Sequence, residues 1–416
     1  MASHCVRAAA TADATAPGRD RPDTPVGAGT LALASSLVVL FLASANAPSP
    51  LYQRYEAAWH ASALIGTAAF ATYAATVIVG LLWLDRLPER FGRRAVLLAC
   101  VGGQVIALAL FAVAGSFLAI IVGRAVQGLA SGAAFGTLSA LMIESDEERG
   151  PIAGAASPGT GSGIGALLSG LLIQFAPGPT HTVYLVLASV LLAQGVLVLR
   201  LLPDTGRRPG PVLSLRPRIA VPPHARAAFL GSAPVVFAVW GLSGFYAALS
   251  PALFRTLAPG AAGWQSALPL FTLLGTATVT TVALRRVGGR AVTVAGLFLT
   301  LAGLGVTLAA LAAGSVGLYL TASSIAGMGY GSGFQGPVRM VTAGASDRDR
   351  PALMAAVFVV AYLGLGAAAI VPGALTSEGI ALTRVAAGLA LVLAILSAAA
   401  LVAVLRVTRK VGSDAD

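Results

Sequence analysis

The sequence predicts an all-α integral membrane protein, in which twelve transmembrane helices form two six-helix bundles that repeat in parallel. Three observations predict this fold class. First, 57% of the 416 residues are hydrophobic and the mean hydropathy is +0.85, which is far from the composition of soluble domains. Second, twelve apolar runs of membrane-spanning length follow one another along the chain. Third, short motifs of the first half recur in the second half at a nearly constant offset.

Each predicted span is apolar or built of small residues on every face, unlike the amphipathic helix of a soluble protein. The runs do not alternate between apolar and polar residues, which argues against a porin-type barrel. Glycine, proline and charged residues separate the runs. The spans are predicted near 27–47, 62–84, 95–114, 117–142, 152–175, 181–202, 228–250, 264–284, 291–312, 315–341, 352–373 and 382–405.

The distribution of arginine predicts the orientation in the membrane. Loops after odd-numbered spans contain only Arg54, Arg255 and Arg384, whereas the termini and the other loops contain nearly all remaining cations. Cytoplasmic loops are enriched in Lys and Arg, so both termini are predicted to be cytoplasmic. The predicted organisation is a flexible cytoplasmic tail (1–26), a first bundle (27–202), a cytoplasmic central loop (203–227), a second bundle (228–405) and a cytoplasmic tail (406–416).

An internal repeat connects the two halves. The stretch "RFGRRAVLL" from Arg90 aligns with "RVGGRAVTV" from Arg286, at an offset of 196 residues. Farther along the chain the offset becomes 201. One offset that persists over separate segments predicts parallel repeats, each beginning on the same side of the membrane. The pairs at this offset are Gly128/Gly329, Gly132/Gly333, Ser145/Ser346, Asp146/Asp347, Gly163/Gly364 and Gly165/Gly366.

Two parallel six-span repeats joined by a basic loop resemble the major facilitator superfamily of secondary transporters, in which two bundles rock about a central site. The resemblance covers nearly all of the chain and is strongest to bacterial drug and metabolite exporters. It implies a small-molecule substrate, coupling to protons, a lipid bilayer as surroundings and a monomeric chain. It implies no cofactor and no metal.

The loop between spans 2 and 3, "DRLPERFGRR", resembles the superfamily signature Gly-x-Leu-x-Asp-Arg-x-Gly-Arg-Arg. Glu89 replaces the Asp of that signature, and Asp85 replaces its first Gly. The resemblance implies a latch between this loop and the start of span 11. The alternative is that the arginines serve only to fix the orientation of the spans in the membrane. Glycine at position 92 suits a tight turn. The predicted motif residues are Asp85, Glu89, Arg90, Gly92, Arg93 and Arg94.

Arg124 is an ionisable residue well inside predicted span 4. A central Arg costs roughly 2.5 to 3.5 kcal/mol on insertion scales, so its side chain is expected to face the bundle interior and to have a partner. Gln127 and Gly128 follow on the same helix face. The stretch "RAVQG" resembles the span-4 motif that the superfamily uses for proton coupling. The alternative is a structural Arg that binds backbone carbonyls.

Span 5 resembles the exporter-type signature of the superfamily at Gly163, Gly165 and Gly170. Ala166 and Ser169 depart from that signature, and a glycine-rich span serves import equally well. Polar or amphipathic residues within the spans are candidates for the substrate cavity, although such residues also form interfacial belts and interhelical hydrogen bonds. These candidates are Asn46, Trp240, Tyr246, Gln335 and Tyr362, with Gln174 and Tyr330 also considered.

Several classes of function are disfavoured by the sequence. The basic residues are dispersed among short loops, unlike a nucleic-acid surface. The spans hold no HExxH, no Ser/His/Asp set and no P-loop, so neither an enzyme nor a primary pump is expected. Apart from Glu144 near the end of span 4, no acidic residue is expected deep in a span. The predicted function is proton-coupled export of small amphiphilic compounds; the alternatives are nutrient uptake on the same fold and a membrane scaffold without transport activity.

Overall fold

The computed structural model describes residues 27–84, 86–204, 219–343, 345–346 and 349–413. Within these ranges the chain forms twelve helices of sixteen residues or more, which confirms the predicted all-α fold. They are α1 (Ala28–Asn46), α2 (Ala63–Val79), α3 (Arg93–Ala112), α4 (Phe117–Ser145), α5 (Arg149–Phe175), α6 (Pro179–Leu201), α7 (Arg226–Leu257), α8 (Leu268–Ala283), α9 (Gly289–Ala313), α10 (Val316–Thr342), α11 (Arg350–Ser377) and α12 (Leu382–Ser413).

The helix bounds follow the predicted spans closely, with two extensions. Helix α7 continues to Leu257, seven residues past the predicted end of span 7. Helix α12 continues to Ser413, so the predicted tail, which begins at residue 406, is helical as far as Ser413. The predicted tail 1–26, residue Asp85 and most of the predicted central loop lie outside the described residues.

Ten of the helices within the described ranges have the length and hydropathy of a membrane span. The two long helices that fall short in hydropathy are α5 and α10, although each contains 27 residues. Both are rich in glycine and serine, which lower hydropathy without adding charge. These small residues lie against neighbouring helices, because several glycines of both helices contact other backbones closely. The low hydropathy of α5 and α10 therefore reflects helix packing.

The two halves make the same set of helix contacts. In the first half α1 packs against α4, α5 and α6, and α4 packs against α2 and α3. In the second half α7 packs against α10, α11 and α12, and α10 packs against α8 and α9. Each of these contacts of the second half is obtained by adding six to the helix numbers of the first. Between the halves, α2 packs against α11 and α5 packs against α8.

Glycine allows α4 to approach α2 closely. Gly128 faces the backbone of Tyr73 and Val77, and Gly132 faces Gly80. In the second half the glycines that hold the matching contact with α8 are Gly327 and Gly331, which face Leu273 and Ala277. The structural counterparts thus lie two residues before Gly329 and Gly333, the positions that the sequence offset of 201 pairs with Gly128 and Gly132.

Candidate functional site

A large cavity lies between the two halves and opens at one end of the bundle. Its volume is about 1650 Å³. Four long helices of each half form most of its wall: α1, α2, α4 and α5 of the first, and α7, α8, α10 and α11 of the second. At its open end α1 begins, and Arg93, Arg285 and Arg286 line the mouth. We call this end of the bundle the basic end.

The halves meet at the opposite end of the bundle, where the cavity is closed. At the start of α2, the backbone N–H of Leu64 donates to Ser377 Oγ at the end of α11, over 3.2 Å. The backbone N–H of Gly263 donates to Gln174 Oε1, over 3.1 Å, and joins the turn before α8 to the end of α5. Gln174 therefore belongs to the closed end and not to the cavity wall. The chain is in a state that is open at one end only.

Five aromatic side chains form a continuous group on the cavity wall. Trp240 is at its centre: its ring centroid lies 5.0 Å from that of Tyr362 and 5.3 Å from that of Phe334. The rings come from α7, α10 and α11, so they all belong to the second half. Two of the predicted cavity residues, Trp240 and Tyr362, are in this group. The aromatic cluster, as we call it, consists of Trp240, Tyr330, Phe334, Phe358 and Tyr362.

Asn46 and Gln335, two further candidates for the substrate cavity, also line this cavity. The Asn46 amide nitrogen donates to the backbone carbonyl of Leu42 (3.0 Å), which fixes its side chain at the end of α1. When the Gln335 amide is oriented so that both its nitrogen and its oxygen have hydrogen-bond partners, the nitrogen donates to Thr281 O (2.8 Å) and the oxygen accepts from Arg339 Nη2 (2.5 Å). Gln335 thus links α8 to α10 and orients an arginine near the mouth.

Tyr246 does not line the cavity, contrary to the prediction. Its side chain is fully buried in the core of the second half. The ring stacks on Tyr319, with centroids 5.9 Å apart, and the hydroxyl shares a hydrogen bond with Thr307 (3.0 Å). The position of a residue around the helix axis decides this difference: Trp240 and Tyr246 share α7 but face different neighbours.

Arg124 is completely buried within the first half. Its Nε donates to the hydroxyl of Tyr52 (2.7 Å), and its Nη1 donates to Ala45 O (2.6 Å) and to Gln127 Oε1 (2.9 Å). The guanidinium also lies 5.5 Å from the ring centroid of Tyr52 and 5.6 Å from that of Tyr73. No carboxylate within the described ranges forms a salt bridge with it. Neutral oxygens and aromatic faces therefore surround this buried charge, and its Nη2 has no hydrogen-bond partner in the described structure.

The Arg124 side chain lies one layer behind the cavity wall. It is absent from the described lining residues, whereas Ala45 and Tyr73, which contact it, do line the cavity. Gln127 is also fully buried. The Arg124 side chain therefore faces the interior of its own bundle and does not itself line the cavity. Because a guanidinium stays protonated in proteins, Arg124 itself can position neighbouring groups but cannot release a proton.

The predicted glycines of α5 lie on two different faces. Gly165 meets the backbone of Ala43 on α1, and Ser169 on the same face donates to Ala47 O (2.6 Å). Gly163 and Gly170 instead face the second half, near Leu274 of α8 and near the turn before α8. Helix α5 therefore has one smooth face within its own bundle and a second at the contact between bundles.

The loop between α2 and α3 forms the turn that the sequence predicts. Gly92 has φ 82° and ψ 150°, a backbone conformation that L side chains rarely adopt, and it joins the short helix Leu87–Phe91 to α3. Arg93 binds both carboxylate oxygens of Glu144 at the end of α4, one of them at 2.7 Å. The Arg90 guanidinium lies 5.3 Å from the Phe91 ring centroid. Arg94 occupies the first turn of α3.

The two parts of the predicted latch both line the cavity mouth. Glu89 is on the wall of the first half, and Arg350, at the start of α11, is on the wall of the second. Glu144, which the sequence analysis noted as an acidic residue near a helix end, is the partner of Arg93. The latch residues are therefore placed on either side of the opening that a latch would close.

Sequence reasoning missed two sets of cavity residues. The first consists of Phe334 and Phe358, which complete the aromatic cluster. Their signal is the spacing of four residues from Tyr330 and to Tyr362, which puts each pair on one helix face. The second set is the arginines at the mouth. Because these arginines lie near helix ends, the sequence indicates only a role in orienting the spans in the membrane. They are Arg285, Arg286, Arg339 and Arg350.

Two comparisons with known proteins bear on this site. A family model described as Major Facilitator Superfamily matches residues 31–253, just over half of the chain. The matched region runs from α1 into α7 and includes the loop after α2, Arg124 and the glycines of α5. A comparison with curated proteins finds no match.

Proposed function

Since the chain belongs to the major facilitator superfamily and is a multi-pass membrane transporter, we propose that it works by alternating access and exports small amphiphilic compounds in exchange for protons. One observation carries this proposal: the cavity is lined by four helices of each half, open at the basic end and closed at the other. Rocking of one bundle against the other would close the first end and open the second. One chain completes the cavity, so we infer a monomer.

The orientation follows from charge. The arginines of the basic end lie at the mouth of the cavity, and cytoplasmic loops are enriched in such residues. We therefore place the basic end in the cytoplasm of a bacterial cell, with the closed end outside its inner membrane. In this orientation the chain is ready to receive a compound from the cytoplasm or from the inner leaflet.

The cavity wall favours amphiphilic compounds over small hydrophilic nutrients. Its deeper part contains the aromatic cluster together with apolar side chains such as Phe70, Leu270 and Leu365. Its volume of about 1650 Å³ exceeds the roughly 300–1,000 Å³ of ordinary ligand pockets. A large apolar cavity accepts bulky molecules of differing shape without a dense set of hydrogen bonds. This supports metabolites or drugs as substrates.

Proton coupling requires a group that changes its charge, and Glu56 is placed to do so. It follows Tyr52, the hydroxyl partner of Arg124, by one helical turn. Its carboxylate lies against Gly66 of α2 and is attracted by Arg255 of α7, so it lies between the halves at the closed end. Protonation of Glu56 would remove the attraction to Arg255. We propose that a proton from outside thereby favours opening of this end.

Closing of the basic end completes the cycle. We propose that Glu89 then meets the start of α11, where Arg350 and the positive end of the helix dipole attract a carboxylate. Rocking would bring the two walls of the mouth together and shield the cavity from the cytoplasm. Substrate would leave to the outside in this outward-open state. When the halves return, Arg255 again attracts the Glu56 carboxylate, so Glu56 would lose its proton into the cavity that is open to the cytoplasm, and one proton would enter for each compound exported.

The test is accumulation of fluorescent amphiphiles of different charge in a host that lacks its own exporters, with and without a protonophore. The expected result is lower accumulation of at least one compound, lost when the protonophore is added. Glu56→Gln should lose this activity. Glu378→Gln should keep it, because Glu378 is exposed at the same closed end, outside α11.

Two results would count against the proposal. If accumulation of every compound is unchanged while the protein is present in the membrane, the chain is not an exporter of amphiphiles. If accumulation rises, the chain takes compounds up, and the alternative of an uptake symporter or facilitator on the same fold is favoured.

A further inference from the structure

The two walls of the cavity mouth carry different charges. Among the described lining residues, the wall of the first half has Glu89, Glu144 and Glu148, together with Arg93. Arg93 and Glu144 are bound to each other. The wall of the second half has cations and, within the same described set, no carboxylate. It therefore presents a positive surface to a molecule that enters. Its cations are Arg285, Arg286, Arg339 and Arg350.

The deeper part of the cavity offers no counter-charge to an organic cation. The three glutamates of the lining all lie in the loop after α2 or around the end of α4, close to the mouth. Beyond them, the lining that the structure describes consists of apolar, aromatic and uncharged polar side chains. A cation that moves from water into this region would lose hydration without gaining a carboxylate partner, which is unfavourable in an apolar environment.

The aromatic cluster presents little open ring surface to a cation. Trp240 lines the cavity, although its indole nitrogen is buried. The rings of the aromatic cluster lie 5.0 to 6.3 Å apart in tilted and edge-to-face pairs around Trp240. Neighbouring rings thus cover part of the faces that would attract a cation.

We propose that the cavity takes amphiphilic organic anions, with an apolar body and a carboxylate or phosphate group, in preference to organic cations. This inference rests on the proposed function and names its substrate class. The apolar body lies against the aromatic cluster. The anionic group faces the arginine wall of the second half, where Gln335 holds Arg339 in place.

The test is equilibrium binding of three probes of nearly equal shape to the purified full chain: 2-naphthoate, 2-naphthylmethylammonium and the neutral 2-naphthalenemethanol. We expect the anion to bind about tenfold more tightly than the cation at low salt, because several arginines act on it at once. High salt should narrow this difference, since exposed charges are screened. The double variant Arg285→Gln/Arg286→Gln should weaken binding of the anion several-fold and leave binding of the alcohol unchanged.

Arg384→Gln is the matched control, because Arg384 is an exposed arginine at the closed end. It should bind all three probes as the unmodified chain does. Tighter binding of the cation, equal binding of all three probes, or binding of none would overturn the proposal. So would a preference for the anion that the double variant keeps. Binding is read without a proton gradient, so loss of transport with anion preference intact would refute only the proposed function.

Discussion

The contact between α4 and α2 can be tested with one added methyl group at Gly128. In Gly128→Ala the new Cβ would lie 2.6 Å from Tyr73 O and 3.0 Å from Val77 N, which are backbone atoms that cannot rotate away. Ordinary contact begins at 3.4 Å, so α2 must move outward by about 0.8 Å. Overpacking of this kind costs about 1–3 kcal/mol, and we expect the free energy of unfolding to fall by about 2 kcal/mol.

The assay is thermal unfolding of the purified full chain, with Gly102→Ala on α3 as the control. A Cβ at Gly102 has no neighbour within 4 Å, and alanine favours a helix over glycine, so this variant should be at least as stable as the unmodified chain. Because Tyr73 lines the cavity, displacement of α2 in Gly128→Ala should also reduce transport. Equal stability of the two variants would refute the view that Gly128 serves close helix packing.

Three further predictions concern the site. Arg124→Lys keeps the charge, but an ammonium cannot reach all three oxygen acceptors of the guanidinium, so transport should fall at least about tenfold in the accumulation assay. Unchanged transport in this variant would show that these hydrogen bonds are not needed for function. Glu144→Gln should change the free energy of unfolding by less than about 1 kcal/mol, measured by denaturation at low and high salt, because its ion pair with Arg93 is half exposed. A larger loss would show that this ion pair contributes to stability as a buried one does. Gly163→Ala should be tolerated, since its Cβ would lie 3.5 Å from the nearest atom. Gly165→Ala should lower the unfolding temperature, because its Cβ would collide with the backbone of Ala43. A lower unfolding temperature for Gly163→Ala than for Gly165→Ala would contradict the assignment of these glycines to two different faces of α5.

The fold was largely predictable because membrane spans need long apolar runs, which are visible in the sequence. The twelve long helices begin and end close to the predicted spans, and Gly92 has the positive φ that its place in the motif indicates. The register of the repeat was harder to predict. Glycine is frequent in α10, so an offset of 201 matched Gly329 while the packing glycine is Gly327. Where glycine is common, residues that match in a sequence alignment of the two halves need not be the residues that make the same helix contact.

The candidate site was less predictable, because rotation about a helix axis depends on tertiary packing. Helices that are apolar on every face give no periodic signal for the direction of a side chain. Trp240 and Tyr246 are equally plausible by residue type, yet the first lines the cavity and the second is in the core. Arg124 was expected to face the interior with a partner, which is confirmed. Its position behind Ala45 and Tyr73 depends on the neighbouring helices.

The most direct test of the central claim, alternating access through this cavity, is a pair of distance measurements by double electron–electron resonance on the full chain in lipid. One pair of spin labels, Ala57→Cys and Glu378→Cys, spans the halves at the closed end; the other, Glu147→Cys and Arg290→Cys, spans them at the basic end, and all four positions are exposed. On acidification we predict that the first distance lengthens while the second shortens. Distances that lengthen together, or that stay fixed at both ends, would contradict the account.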